Sequence, residues 1–203
     1  MDIVTRAKNM ITNPKVEWDV VAAEQPNTSR IIMQYVLPLT VLGAIAAFIG
    51  YGLIGFSILG VHVGGVSWGI YYAIDKIVIG ILSVFITAYV VDLLAPSFGS
   101  EKNLGRSIQL VSYGGTPALL AAIFAILPFI AGIVAIAGAV YSVYLWYLGL
   151  GPIKKTPEDK KVAYLIVAFL VLIVVYFLIG MILSRLLWPV FGIGYGSYGS
   201  YGM

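Results

Sequence analysis

Apolar residues form five long runs along this 203-residue chain, and the polar residues are concentrated between them. Each run reaches the roughly 20 residues that an α-helix needs to cross the hydrocarbon core of a bilayer. Helices are predicted because backbone N–H and C=O groups find no water there. We therefore expect an all-α, polytopic membrane helix bundle with five transmembrane helices. The runs are residues 31–50, 70–95, 107–127, 129–150 and 162–187.

The polar stretch before the first run contains two short amphipathic pieces that meet at Asn13 and Pro14. Asn is a favoured N-cap and Pro suits the first helical position, so a second helix is predicted to begin there. Trp18 lies on the apolar face of this second piece. Two interpretations remain open. The pieces form an interfacial segment with Trp18 at the lipid headgroups, or they are ordinary helices that pack on the protein's own loops.

The composition supports a membrane protein and excludes several kinds of chemistry. Hydrophobic residues make up 61% of the chain and charged residues 10%, whereas soluble domains have about 45–50% and about 25%. The absence of cysteine excludes disulfides, thiolate metal sites and thiol nucleophiles. The single histidine, His62, has no Cys or carboxylate cluster near it, so we expect no metal, no cofactor and no enzyme activity. A scattered net charge of +3 also argues against a nucleic-acid partner.

Ten of the 12 Lys and Arg residues fall on one side of the predicted spans. The other side has only Lys76 and Arg185. By the positive-inside rule the N-terminus is cytoplasmic and the C-terminus faces out, in the cell (plasma or inner) membrane. The predicted organisation is a cytoplasmic amphipathic segment 1–29, a five-span membrane domain 30–188 and a flexible Tyr/Gly-rich tail 189–203.

Charged side chains near the outer ends of spans two and five require an explanation. An ionised group at the bilayer centre costs about 2.5–3.5 kcal/mol on insertion scales, so such groups are paired, lie at the interface or serve a function. Asp75 and Arg185 have similar outer depth, and we hypothesise that they form an ion pair. A position at the membrane interface without functional importance is the alternative.

Asp92 closes span two on the cytoplasmic side, at a fixed exit from the membrane. Pro96 cannot continue the helix, and Gly99 permits the chain to turn. The predicted partners of Asp92 are Arg106, Lys102 or backbone N–H donors. The alternative is a carboxylate that only marks the end of the helix.

Two further patterns concern packing and membrane depth. Small residues recur at helical spacing in spans one, three and four, which allows close helix approach in a compact bundle, with or without homo-oligomer formation. Trp146 and Trp188 lie towards the ends of spans four and five, and with Trp18 they are predicted interfacial anchors.

Four stretches, in this order and spacing, resemble the prokaryotic branch of the Yip family, the Ypt/Rab-interacting-protein domain. The resemblance covers nearly the whole chain except the tail, and it implies a cytoplasmic N-terminus and five spans. The stretches are Asn13-Pro14-Lys15 with Trp18, Asp92-Leu-Leu-Ala-Pro-Ser-Phe-Gly99, Ser112-Tyr-Gly-Gly-Thr-Pro117, and Tyr141-Ser-Val-Tyr-Leu-Trp-Tyr-Leu-Gly-Leu150 leading to Thr156-Pro-Glu-Asp-Lys160.

The resemblance also marks positions for a binding role. Eukaryotic members bind prenylated Rab-type GTPases and shape vesicle traffic, and they carry an Asp-Leu-Tyr-Gly-Pro motif that residues 92–96 resemble. In this chain Leu94 and Ala95 stand in place of the Tyr and Gly. The alternative is that the marked positions only fix the hinge between spans two and three. They are Asp92, Pro96, Phe98, Gly99, Tyr113, Thr116 and Pro117.

These patterns favour a non-enzymatic membrane scaffold or adaptor, linked to membrane organisation or trafficking-like processes. Its cytoplasmic face is expected to contact a protein partner or the headgroups of the lipid bilayer. The alternative is a small transporter or channel for lipid-like or small solutes, with Asp75, Asp92 or Arg185 on its path. A polar cavity that reaches these residues would favour transport, and a closed interior would favour the scaffold.

Overall fold

The computed structural model describes residues 2–58 and 61–190 of the chain, and this part is a bundle of long helices. Short 3-10 turns follow α4 at Ala95–Phe98 and precede α8 at Glu158–Lys160. The helices are α1 (Ile3–Thr12), α2 (Pro14–Ala23), α3 (Thr28–Ile54), α4 (Val66–Leu94), α5 (Leu104–Gly114), α6 (Thr116–Ile126), α7 (Pro128–Lys154) and α8 (Lys161–Val190).

Four of these helices, α3, α4, α7 and α8, are long and apolar enough to cross a bilayer. Helices α5 and α6 form a further span if they count as one bent helix. The predicted all-α polytopic bundle is therefore confirmed, with four or five spans. The Tyr/Gly-rich tail from residue 191 onward and the side chain of Trp188 lie outside the described residues.

The third predicted span is bent by 42° between α5 and α6. Pro117 lies in the first turn of α6, where its missing N–H costs least. The free N–H of Ala118 donates instead to Ser142 Oγ on α7, at 3.3 Å. The Ser142 side chain thus supplies a hydrogen-bond acceptor for a backbone N–H group that the bend leaves without one, as is required within the membrane.

A short antiparallel β-hairpin between α3 and α4 was not predicted. Its strands are β1 (Phe56–Ile58) and β2 (Val61–Val63), and Phe56 pairs with Val63. Aromatic and β-branched residues favour strands.

The two N-terminal helices pack into the bundle. Met10 and Val21 are fully buried, and Trp18 is only 1% exposed. Tyr141 on α7 donates a hydrogen bond to the carbonyl oxygen of Ile11 at 2.7 Å, which holds the end of α1. The N-terminal helices are therefore part of the protein core.

The prediction that Trp18 anchors the chain at the lipid headgroups was wrong. A Cβ built on Gly149 of α7 would lie 2.8 Å from the Trp18 ring and 2.6 Å from Leu110 Cδ1. The indole therefore occupies space that a glycine on the neighbouring helix leaves free. Burial of an aromatic ring of this size is a major apolar contribution, which explains why the ring faces inward.

The best-packed core lies at the end of the bundle that carries the N-terminal helices. Buried residues there come from α1, α2, α3, α4, α5, α7 and α8, and they include Val36, Leu110, Leu145 and Tyr164. Further along α8 the apolar side chains face outward, as Phe177 does at 69% exposure. Such a surface is expected where a helix contacts lipid.

Candidate functional site

A cluster of four polar residues connects the end of α4, the start of α5 and the end of α7. We call Asp92, Asn103, Ser107 and Lys154 the polar cluster. Oδ1 of Asp92, at the end of α4, accepts from Lys154 Nζ at 2.8 Å and from the Asn103 backbone N–H at 2.7 Å. It also accepts from Ser107 Oγ at 3.1 Å. The Asp92 side chain is 10% exposed and that of Lys154 0%, so the ion pair is largely shielded from water.

Lys154, the last residue of α7, is completely buried. Besides Asp92, its ammonium group donates to Ser107 Oγ at 2.8 Å and to the Asn103 carbonyl at 3.3 Å. An ammonium group has three donors, and all three are matched here. Both charges of the pair are therefore compensated, and the cluster connects α4, the start of α5 and the end of α7.

The structure corrects the partner predicted for Asp92. Arg106 donates instead to Gln109 Oε1 at 3.0 Å and to the carbonyl oxygen of Glu24 at 2.9 Å. The expected backbone donor exists and is Asn103 N–H. Lys154 was missed because it lies 62 residues away along the chain. Its position at the end of a predicted span was the only available signal.

The loop after α4 is held against the loop after α7. Gly99 has φ +66°, in the left-handed region that favours glycine. Ser100 Oγ and Thr156 Oγ1 share a hydrogen bond of 2.8 Å, and the Glu101 N–H donates to the Lys154 carbonyl oxygen at 2.8 Å. The predicted hinge loop is thus bound at several points.

Two of the motif residues that precede this loop have different environments. The Phe98 ring stacks on the Tyr164 ring of α8, with ring centroids 4.9 Å apart and an interplanar angle of 9°. The Tyr164 hydroxyl in turn donates to the Val91 carbonyl oxygen. Pro96 is exposed in the 3-10 turn. Phe98 therefore connects α4 with α8, and Pro96 faces outward.

The other motif residues, Tyr113, Thr116 and Pro117, lie at the bend between α5 and α6. Thr116 is fully buried, and its hydroxyl donates to the Tyr113 carbonyl oxygen at 2.5 Å. The hydroxyls of Thr116 and Tyr35 are 2.6 Å apart. The rings of Tyr35 and Tyr113 meet edge to face, with centroids 4.9 Å apart. This set holds the bend against α3, and it contributes nothing to the polar cluster.

A surface cavity of about 290 Å³ lies between the N-terminal helices, α3 and α5. Arg6 is 4% exposed and pairs with Glu17 at 2.7 Å and with Glu24. Its guanidinium carbon lies 5.0 Å from the centre of the Tyr113 ring. Residues that line the cavity include Arg6, Glu24, Arg30, Gln34, Tyr35 and Tyr113.

An exposed ion pair lies beside the polar cluster. Lys155 Nζ is 2.8 Å from Glu101 Oε2, and the Lys155 side chain is 77% exposed. The hydrogen bond from Lys155 and its positive charge hold the pKa of the Glu101 carboxyl below its usual range. Solvent screens such a pair strongly, so it contributes little to stability.

The hypothesised pair of Asp75 and Arg185 is not among the five ion pairs that the described residues form. Asp75 is partly buried in α4, whereas Arg185 is exposed on α8. Trp146 is partly buried, and its indole lies against Gly114 of α5 rather than facing outward.

A second cavity, of about 190 Å³, lies between the helices of the bundle and is about as open to the outside as the surface cavity; we call it the inner cavity. Within the described part of the chain, neither Asp75, Asp92 nor Arg185 lines the surface cavity or the inner cavity. The charged residues that a solute path was expected to use thus lie apart from both cavities.

Comparison with known families bears out the resemblance to the Yip family, without regard to its branches. The family model described as Yip1 domain matches residues 8–195, nearly the whole chain. No curated protein and no solved structure matches the chain. Since the matched region runs from the second half of α1 through every later helix and includes the polar cluster, this chain belongs to the Yip1 domain family.

Proposed function

We propose that the protein is a non-enzymatic membrane scaffold that presents a preformed charged face to a protein partner. The charged face consists of helices α1 and α2, loop 99–103 and loop 155–160. The observation that carries this proposal is the polar cluster, in which the buried pair of Asp92 and Lys154 holds both loops in place.

Several contacts support a face that is already ordered before any partner binds. Arg106 donates to the carbonyl oxygen of Glu24 and so attaches the end of α2 to α5. Trp18 holds α2 against α7. A surface whose loops are already ordered loses less conformational entropy on binding, which favours recognition of a partner.

Exposed side chains on this face provide the contacts for a partner. They carry both signs of charge and project from α1, α2 and the two loops. They are Lys8, Lys15, Asp19, Glu101, Lys102, Lys155, Glu158, Asp159 and Lys160. A mixed pattern of this kind suits a protein surface with complementary charges, which gives specificity and faster association.

The charges within the spans favour this proposal over transport. Ionisable groups deep within the spans of a transporter mark its solute path. Asp92 is compensated by Lys154, and Asp75 lines neither the surface cavity nor the inner cavity.

We also propose that the charged face is cytoplasmic and that the protein lies in the cell membrane. The chain has no cysteine, so single cysteines can report accessibility without a background. In intact cells, a membrane-impermeant maleimide should label Val66→Cys, at the opposite end of α4, and should label Lys155→Cys only after the cells are opened. Labelling of Lys155→Cys in intact cells would reverse the orientation.

Photo-crosslinking in native membranes tests the scaffold itself. A photoreactive residue at Lys102 should capture a discrete protein band, whereas one at Phe177 on the lipid-facing side of α8 should not. Adding Lys154→Met should reduce the amount of protein crosslinked at position 102 severalfold, because loop 99–103 is then no longer held by the polar cluster. Gly132→Ala is the matched control, since a Cβ there meets no described atom within 4 Å. Capture that is equal at Lys102 and Phe177, or unaffected by Lys154→Met, would contradict a preformed docking face.

A further inference from the structure

The inner cavity lies where the bend between α5 and α6 leaves space inside the bundle. Its walls come from α4, α5, α6, α7 and α8. Apolar side chains such as Val111, Leu119 and Phe169 supply part of the lining. Charged residues are absent from this lining as far as the structure describes it. The cavity therefore suits a neutral, largely apolar molecule.

Most polar groups around the inner cavity already have partners. The hydroxyls of Thr87 and Tyr176 are 2.5 Å apart, and Tyr176 also donates to the Ser83 carbonyl oxygen at 3.2 Å. Ser142 donates to the Gly138 carbonyl oxygen at 2.9 Å. These groups therefore need no hydrogen bond from a ligand.

Two buried donors that line the same cavity have no hydrogen-bond partner among the described residues. They are the hydroxyl of Ser112, a fully buried residue, and Nε1 of Trp146. Both residues line the same cavity, Ser112 from α5 and Trp146 from α7, whose indole packs against α5 at Gly114. An unpaired buried donor is unfavourable, so an acceptor that reaches either donor is bound more tightly.

The depth of the cavity indicates where its ligand comes from. Trp146 lies about 27 Å along α7 from Pro128, at 1.5 Å per residue, which is close to the roughly 30 Å thickness of the hydrocarbon core. The donors therefore lie towards the charged face, and the rest of the cavity extends into the apolar layer. Phe169 and Tyr176 belong to α8, whose outer side is exposed, so a molecule dissolved in the bilayer reaches the cavity past this helix.

We propose that the inner cavity binds a neutral, lipid-soluble molecule through a carbonyl oxygen that accepts hydrogen bonds from Trp146 Nε1 and Ser112 Oγ. The volume of 190 Å³ matches one ring or a short segment of an acyl chain, given that an apolar cavity of about 150 Å³ holds benzene. A carbonyl is the neutral acceptor of this size that is common in lipid-soluble compounds. It occurs on a quinone ring and in an acyl ester, and the experiment below separates these two sources.

The test uses the full-length protein in nanodiscs of diether phospholipid, which contain no carbonyl groups. The probes are decylubiquinone, methyl decanoate and decane, where decane lacks an acceptor. The indole N–H resonance of Trp146, assigned with Trp146→Phe, should shift downfield with one of the two carbonyl probes and not with decane. The carbonyl probe that causes the shift at the lower concentration identifies the source as ring or ester.

Variants then connect the binding to the two donors. Ser112→Ala should weaken the binding of the active probe about threefold to tenfold, as expected for loss of one hydrogen bond. This variant is expected to fold, because it removes a hydroxyl that has no partner. Trp68→Phe on α4, which lies outside the cavity lining, is the matched control and should leave the affinity unchanged.

Three results would overturn the proposal. The first is a Trp146 resonance that shifts equally with decane, because any apolar molecule would then suffice. The second is that neither carbonyl probe shifts this resonance. The third is that Ser112→Ala and Trp68→Phe weaken binding of the probe to the same extent.

Discussion

Lys154→Met is expected to reduce the free energy of unfolding by about 3–5 kcal/mol, as is typical when one partner of a buried ion pair is removed. Methionine keeps much of the apolar stem and removes the ammonium group. The Asp92 side chain, 10% exposed, then keeps only the donors of Asn103 and Ser107 for a carboxylate with a full negative charge. Reversible unfolding in mixed micelles, followed by tryptophan fluorescence, measures the loss.

Lys155→Met is the matched control, because it makes the same substitution at the next position. The Lys155 side chain is 77% exposed and its partner Glu101 is on the surface, so the unfolding transition should not move measurably. Equal transitions for Lys154→Met and Lys155→Met would show that the buried pair does not hold the charged face together.

The double variant Asp92→Asn with Lys154→Met separates lost charge pairing from lost packing. Asparagine retains an oxygen that accepts from Asn103 and Ser107, and it carries no charge that needs a cation. Replacement of both partners of a buried pair is often nearly neutral. We therefore expect the double variant to be more stable than Lys154→Met alone, and additivity of the two single effects would contradict this interpretation.

The outcome at Asp92 shows what local sequence can predict. Its place before Pro96 and Gly99 identified a fixed exit from the membrane, since proline and glycine act through their own backbone. Its main partner, Lys154, depends on how α4 and α7 pack, and at a separation of 62 positions along the chain there is no local signal. Nearby cations such as Arg106 were therefore favoured by proximity along the chain alone.

Trp18 shows the same limit in an amphipathic helix. The periodic apolar face of α2 predicted that Trp18 is buried, but this pattern is the same for burial in lipid and burial in protein. The decisive feature is Gly149 on α7, which leaves space for the ring. The inner cavity is even harder to predict from the sequence, because five helices form its walls. Its two donors are recognised only from the three-dimensional structure, in which no described residue accepts a hydrogen bond from them.

Arg6→Met is expected to release the N-terminal helices from the bundle. Arg6 Nη1 lies 2.7 Å from Glu17 Oε1, and both residues are almost fully buried. Without the guanidinium, Glu17 keeps the hydrogen bond from Asn9 Nδ2 at 2.9 Å but loses its countercharge. A loss of about 3–4 kcal/mol raises the population of the undocked segment about 100- to 1,000-fold, at 1.4 kcal/mol per factor of ten.

Limited proteolysis under native conditions measures this population when docking is fast relative to cleavage. Cleavage within residues 1–27 should accelerate strongly in Arg6→Met. It should be unchanged in Lys8→Met, an exposed position on the same helix. Adding Glu17→Gln should restore much of the protection, because the buried partner is then neutral. If Arg6→Met and Lys8→Met are cut at the same rate, the pair of Arg6 and Glu17 does not hold the N-terminal helices. Trp18, buried against Gly149, then remains as the main attachment of α2 to the bundle.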